Sequence, residues 1–163
     1  MSEVKNILPR YNEIPDVGLY LDQVSKYINS CTEMITGQAM TNSMISNYVK
    51  HDLIPNPIKK LYYRDQIAKL IFIAITKSVL SLNDAGFIFQ LQEEKLSVRE
   101  AYMLFVDKVD ICFSGSAIMN EENDAYNGII NQTVRTVFDK YILEQQIRRF
   151  REEEPEKDNR KKK

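Results

Sequence analysis

The stretch Thr41-Asn-Ser-Met-Ile-Ser-Asn-Tyr-Val-Lys-His-Asp-Leu-Ile-Pro55 decides how the rest of the chain is read. Thr41 carries the hydroxyl of a helix N-cap, and Met44, Ile45, Tyr48 and Val49 follow at helical spacing. At about 100° per residue these four fill one arc, while Asn42, Ser43, Ser46, Asn47, Lys50 and His51 fill the other. A solvated helix face is ordinarily built from Glu, Lys, Arg and Gln, which favour helix. This one carries short hydrogen-bonding side chains and no acid. Such groups suit base edges in the major groove, with Asn matched to adenine and Lys to guanine or phosphate. Asp52, Pro55 and Pro57 end the helix, because proline lacks the amide hydrogen needed to continue it. The spacing predicts a helix over residues 41–52, which reads either as a DNA-recognition helix or as a polar surface helix of a helical bundle.

Outward from this helix, residues 58–64 form a basic turn that could close as a short β-ribbon, with Lys59, Lys60 and Arg64 placed to hold phosphates. On the amino-terminal side, Pro9 and Pro15 mark an extended arm over residues 1–15, Asp16 is a candidate cap, and a helix is expected from Val17 to Gly37. On the carboxy-terminal side a helix starting near Tyr63 or Arg64 runs to about Leu80. Its apolar run Leu70 to Ile75 marks it as the central core helix. Ser81 with Asp84, and Ser97 with Glu100, are capping boxes opening two more helices. A loop over residues 114–122 precedes a last helix, and residues 151–163, almost all charged, read as a disordered tail.

Composition narrows the functions available. The chain has 163 residues, enough for one domain of ordinary size, and its 44 % hydrophobic and 28 % charged residues can support a packed core. Net charge is −1, yet residues 41–80 hold six basic side chains against two acidic ones, as a local polyanion footprint would. Cys31 and Cys112 form no C-x-x-C, and nothing basic flanks either to lower its thiol pKa, so both read as buried apolar groups. With one histidine, His51, and no phosphate-cradling or nucleophile-elbow motif, neither an enzyme nor a cofactor or metal is expected. No apolar run approaches the ~20 residues of a membrane span, which points to a cytoplasmic protein. Tyr48 and Tyr62 read as core aromatics. Tyr102, Phe105, Phe113 and Phe138 read as packing residues, although a cavity lined by them would point to a small-molecule sensor.

The segment Met44 to Pro55 resembles the recognition-helix segment of MerR-type winged helix-turn-helix regulators, roughly T-I-R-Y-Y-E-x-x-G-L-I-P. Lys60-Leu61-Tyr62 is similar to the basic-x-Tyr of their wing, and Ser81-Leu82-Asn83-Asp84 to the S-L-x-E that opens their next helix. Ser46 and Asn47 stand where that family has an Arg-Tyr pair, Asp52 where it has a helix-ending Gly, and Tyr63 where it has a capping Ser. A closer resemblance is to a bacterial family of unknown function with a MerR-like domain. It rests on Leu8-Pro9, Pro15-Asp16, Leu19-Tyr20, Asp22-Gln23-Val24, Thr41, Ser43-Met44-Ile45 and Asn47-Tyr48-Val49-Lys50. The resemblance implies a cytoplasmic transcriptional regulator of Gram-positive-type bacteria.

The expectation is therefore an all-α chain: a MerR-like winged helix-turn-helix over residues 1–92, a helical dimerisation or partner-binding region over 93–150, and the tail. Its expected partner is double-stranded DNA. Thr41 would cap the recognition helix, Asn42, Ser43, Ser46, Asn47 and Lys50 would face the groove, and Lys59, Lys60 and Arg64 would lie on phosphate. A homodimer follows from this reading, because paired recognition helices read a palindrome. Two other readings are a helical protein-interaction module and a small-molecule-sensing helical protein without DNA binding.

Overall fold

The computed structural model describes residues 6–118 and 124–153. Within them the chain forms six α-helices: α1 (Leu21–Thr36), α2 (Asn42–Lys50), α3 (Arg64–Thr76), α4 (Leu82–Glu93), α5 (Val98–Phe113) and α6 (Ala125–Glu153). A single 3-10 turn, Tyr11–Glu13, interrupts the amino-terminal arm. Among the described residues the β structure is limited to two isolated antiparallel bridges, Leu19 with Tyr62 and Ile58 with Leu61. The chain is all-α, as its periodicity predicts.

Helix α3 is the axis of the fold. Every residue from Gln66 to Thr76 is buried, and α1, α5 and α6 pack around it. Phe72 meets Phe105 edge-on at 5.0 Å between ring centroids and Phe89 at 5.6 Å, joining α3, α4 and α5. The buried apolar residues of the amino-terminal and carboxy-terminal regions form one cluster. The arm adds to this cluster with Leu8 and Ile14, both buried, and is fastened to α5 by polar contacts. The Ile7 amide and the Arg10 guanidinium both donate to Asp110, and the Tyr102 hydroxyl donates to the Pro9 carbonyl at 2.6 Å.

Helix starts follow local chemistry where a capping side chain is present. Thr41, Ser81 and Ser97 each accept an amide hydrogen from three residues on, and Glu100 returns the bond to the Ser97 amide at 2.9 Å. Two boundaries differ from expectation. Helix α1 begins at Leu21 rather than Val17, because Leu19 is held extended by reciprocal 2.8 Å backbone bonds with Tyr62. Asp16 does not cap it and instead lies 3.7 Å from Arg64. Helix α3 ends at Thr76 rather than near Leu80, where the Thr76 carbonyl takes the amides of both Val79 and Leu80. At the far end, Arg151–Glu153 continue α6; residues 154–163 of the charged tail, and 119–122 of the loop before α6, lie outside the described residues.

Candidate nucleic-acid interface

Helix α2 is amphipathic in the sense its sequence dictates. Ile45 and Tyr48 are buried, Met44 and Val49 are half-buried against them, and Ser43, Ser46, Asn47 and Lys50 are exposed. Burial pushes the Tyr48 and Tyr62 hydroxyl pKa values up, in keeping with core positions. Thr41 adopts an extended conformation and its Oγ1 accepts the Met44 amide at 3.2 Å, which is the N-cap geometry. At the other end Asp52 turns left-handed, with φ 57°, where helices usually end on Gly. The Leu53 amide then donates to the Tyr48 carbonyl at 3.0 Å, and Leu53 and Ile54 anchor the exit in the core.

The connection to α3 is a tight hairpin. Ile58 and Leu61 exchange backbone bonds of 3.0 and 2.9 Å around only two residues, Lys59 and Lys60. Both lysines have positive φ, 50° and 67°, the signature of a type I′ turn. Such turns ordinarily use Asn-Gly, because side chains with a Cβ are strained there. Tyr62 continues from the hairpin and pairs with Leu19, so the turn is braced from a third segment. Gly18, with φ 73°, makes that crossing possible; a Cβ on it would sit 3.2 Å from the Tyr63 ring and 3.3 Å from Leu61. The Gln66 side chain ties the assembly to α3, donating to the carbonyls of Pro55 and Asn56 and accepting the Tyr63 amide at 2.7 Å. Gln66 thereby supplies the cap that Tyr63 cannot.

Six of the nine expected interface residues, Ser43, Ser46, Asn47, Lys50, Lys59 and Lys60, are exposed with no side-chain partner among the described residues. The others are engaged. Thr41 is bound as the cap, and the Asn42 side-chain amide donates to Asp22 on the first turn of α1. Arg64, expected on phosphate, is committed to contacts within the chain. Its Nε donates to the Ile14 carbonyl at 2.9 Å, its guanidinium pairs with Asp16 and stacks 5.4 Å from the Tyr11 ring centroid, and it thus bolts the arm to α3. The basic excess over residues 41–80 is also thinner at the surface than in the sequence. Lys69 is 91 % buried beside Glu93, and Lys77 is half-buried, its pKa lowered by desolvation.

The aromatic residues of the carboxy-terminal half form packing contacts rather than a chamber. Phe113 stacks edge-on against Phe138 at 5.0 Å. Tyr102 and Phe105 line a small cleft of about 30 Å³, room for a water molecule or two. Cys31 and Cys112 are free thiols whose pKa values burial raises. Among the described residues no cluster of acids, histidines or cysteines could hold a metal ion, and no helix is long and apolar enough to cross a membrane.

Fold and surface together define an all-helical protein that presents one short polar helix beside a lysine-tipped hairpin. The chain belongs to the family described as "Domain of unknown function (DUF1836)", whose family model matches residues 9–106 and so takes in the end of the arm, α1 to α4 and the first half of α5. No curated protein and no solved structure matches the chain.

Proposed function

We propose that the chain is a DNA-binding transcriptional regulator that inserts α2 into the major groove and lays the Lys59–Lys60 hairpin on the adjacent backbone. The observation that carries this reading is the unpartnered polar face of α2, which offers Ser43, Ser46, Asn47 and Lys50 to solvent without an acid among them. Asn47 is the candidate for bidentate contact with adenine, and Lys50 for guanine or phosphate. Lys59 and Lys60 carry the phosphate contacts that fix register. The MerR-like pattern of the α2 exit and the hairpin supports the same assignment. A single nine-residue helix reaches few bases, so the reading includes a homodimer, with two copies of α2 meeting half-sites about 34 Å apart.

Selection of genomic DNA by the purified protein, followed by binding measurements on the selected site, tests the assignment. Asn47→Ala is expected to weaken binding by about 1 to 3 kcal/mol and to relax preference at one base position. Lys60→Ala should weaken all sequences alike and flatten the slope of log affinity against log salt by about 1. A protein-interaction module would instead bind its partner through this face with little salt dependence. Equal binding by wild type and both variants refutes the roles given to these residues.

A further inference from the structure

Behind the exit of α2 lies a second feature that DNA contact does not use. A groove of about 670 Å³ runs between the loop after α2 and the outer side of α4, within the ~300 to 1,000 Å³ typical of small-molecule sites. Leu53, Ile54, Leu82 and Phe89 give it apolar walls. Lys69 of α3 lines both this groove and the small cleft beside Tyr102 and Phe105. Its side chain is 91 % buried, yet its ammonium carries three donors and makes one hydrogen bond, to Glu93 at 3.3 Å, with the Phe89 ring centroid 5.0 Å away. Glu93 is itself 63 % exposed on its side chain, so this charge is held at the groove by a carboxylate free to swing into water. A largely buried cation whose one protein partner is solvent-borne has donors to offer a second anion.

We propose that the groove binds a small monocarboxylate with an apolar body, whose carboxylate takes the place of Glu93 on Lys69 while its chain lies on Leu53, Leu82 and Phe89. The single ammonium neutralises one negative charge and no more. A phosphate dianion would leave charge uncompensated in a groove that also contains Asp52. Lys69 already donates to a carboxylate here, so no rearrangement of α3 is required. The groove is bounded by His51 to Asn56, the segment that ends α2, so an occupant would touch the base of that helix; the binding itself does not depend on any role in DNA recognition.

Calorimetric titration of the full chain with hexanoate and with 1-hexanol, which share a chain length and differ in charge, is the test. Hexanoate is expected to bind and hexanol to bind much more weakly, and hexanoate should shift the methyl resonances of Leu53 and Leu82. Lys69→Met should abolish the difference between the two probes. Glu93→Gln, which removes the competing carboxylate at an exposed position, should tighten hexanoate binding by about fivefold. This last sign is the informative one, because loss of a merely structural ion pair would not improve binding, and it decides the matter even where Lys69→Met fails to fold. Absence of hexanoate binding, equal binding of hexanol, or a Glu93→Gln variant that binds no better overturns the proposal.

Discussion

Lys59 and Lys60 occupy a conformation that costs an L-residue about 1 to 2 kcal/mol and that Asn or Gly adopts far more cheaply. Nothing in their surroundings accounts for lysine, since both are exposed and unpartnered among the described residues. Strain retained where a cheaper residue would fit is the pattern expected of a functional position. The double substitution Lys59→Asn with Lys60→Gly installs the preferred type I′ pair and is expected to raise Tm by about 2 to 4 °C. On the proposed reading each lysine makes one phosphate contact, and the same change should then flatten the salt dependence of DNA binding by about 2 in slope. Thermal denaturation and salt-titrated binding on one preparation read both effects. A rise in stability without loss of affinity would show that the lysines have no role in binding.

Capping shows, at the scale of an element, which parts of the fold are written locally. The Glu100 carboxylate accepts the Ser97 backbone amide, and this bond holds its pKa below the ordinary carboxylate value of 4.5. A depressed folded-state pKa contributes stability that is present above the unfolded value and disappears as pH falls through the folded one. Glu100→Gln keeps a side chain suited to the capping box but loses the charge. It is therefore expected to be less stable than wild type at pH 7, with the gap closing in acid, as denaturant midpoints at pH 7 and pH 3 would show. Such caps were legible because Thr41, Ser81 and Ser97 each place a hydroxyl at a helix start; Glu100 completes the expected box with Ser97, whereas Asp84 returns no bond to the Ser81 amide. The start of α1 was not, because Tyr20 has no capping side chain and the extended stretch before it is imposed by Tyr62, far along the chain. The sequence likewise shows Arg64 as a free cation placed for phosphate and gives no sign that Lys69 is paired. Their partners, Ile14, Asp16 and Glu93, are brought to them only by the tertiary fold.

For the whole molecule, the proportion of α6 that is buried matters more than its length. The helix has 29 residues, about 44 Å at 1.5 Å per residue, and its buried positions, Tyr126 to Val137, all lie in the first half. Beyond them Leu143, Ile147 and Phe150 are 54, 42 and 64 % exposed at spacings of four and three residues. That spacing forms a seam on one side of a helix, the pattern by which two helices pair. The sequence carried the apolar positions but not their exposure, because periodicity marks a face without saying what covers it. If a second copy covers it, as the proposed reading of paired half-sites requires, Ile147→Glu with Phe150→Glu should convert a dimer to a monomer in sedimentation velocity. Helical content should stay unchanged, because neither side chain belongs to the buried cluster. The monomer should also lose affinity for a two-half-site DNA while retaining its affinity for a single half-site, since linking two binding events raises apparent affinity without any new contact. A wild-type chain that sediments as a monomer at micromolar concentration would remove the dimer from the reading. The contacts proposed for a single α2 would then have to suffice for binding on their own.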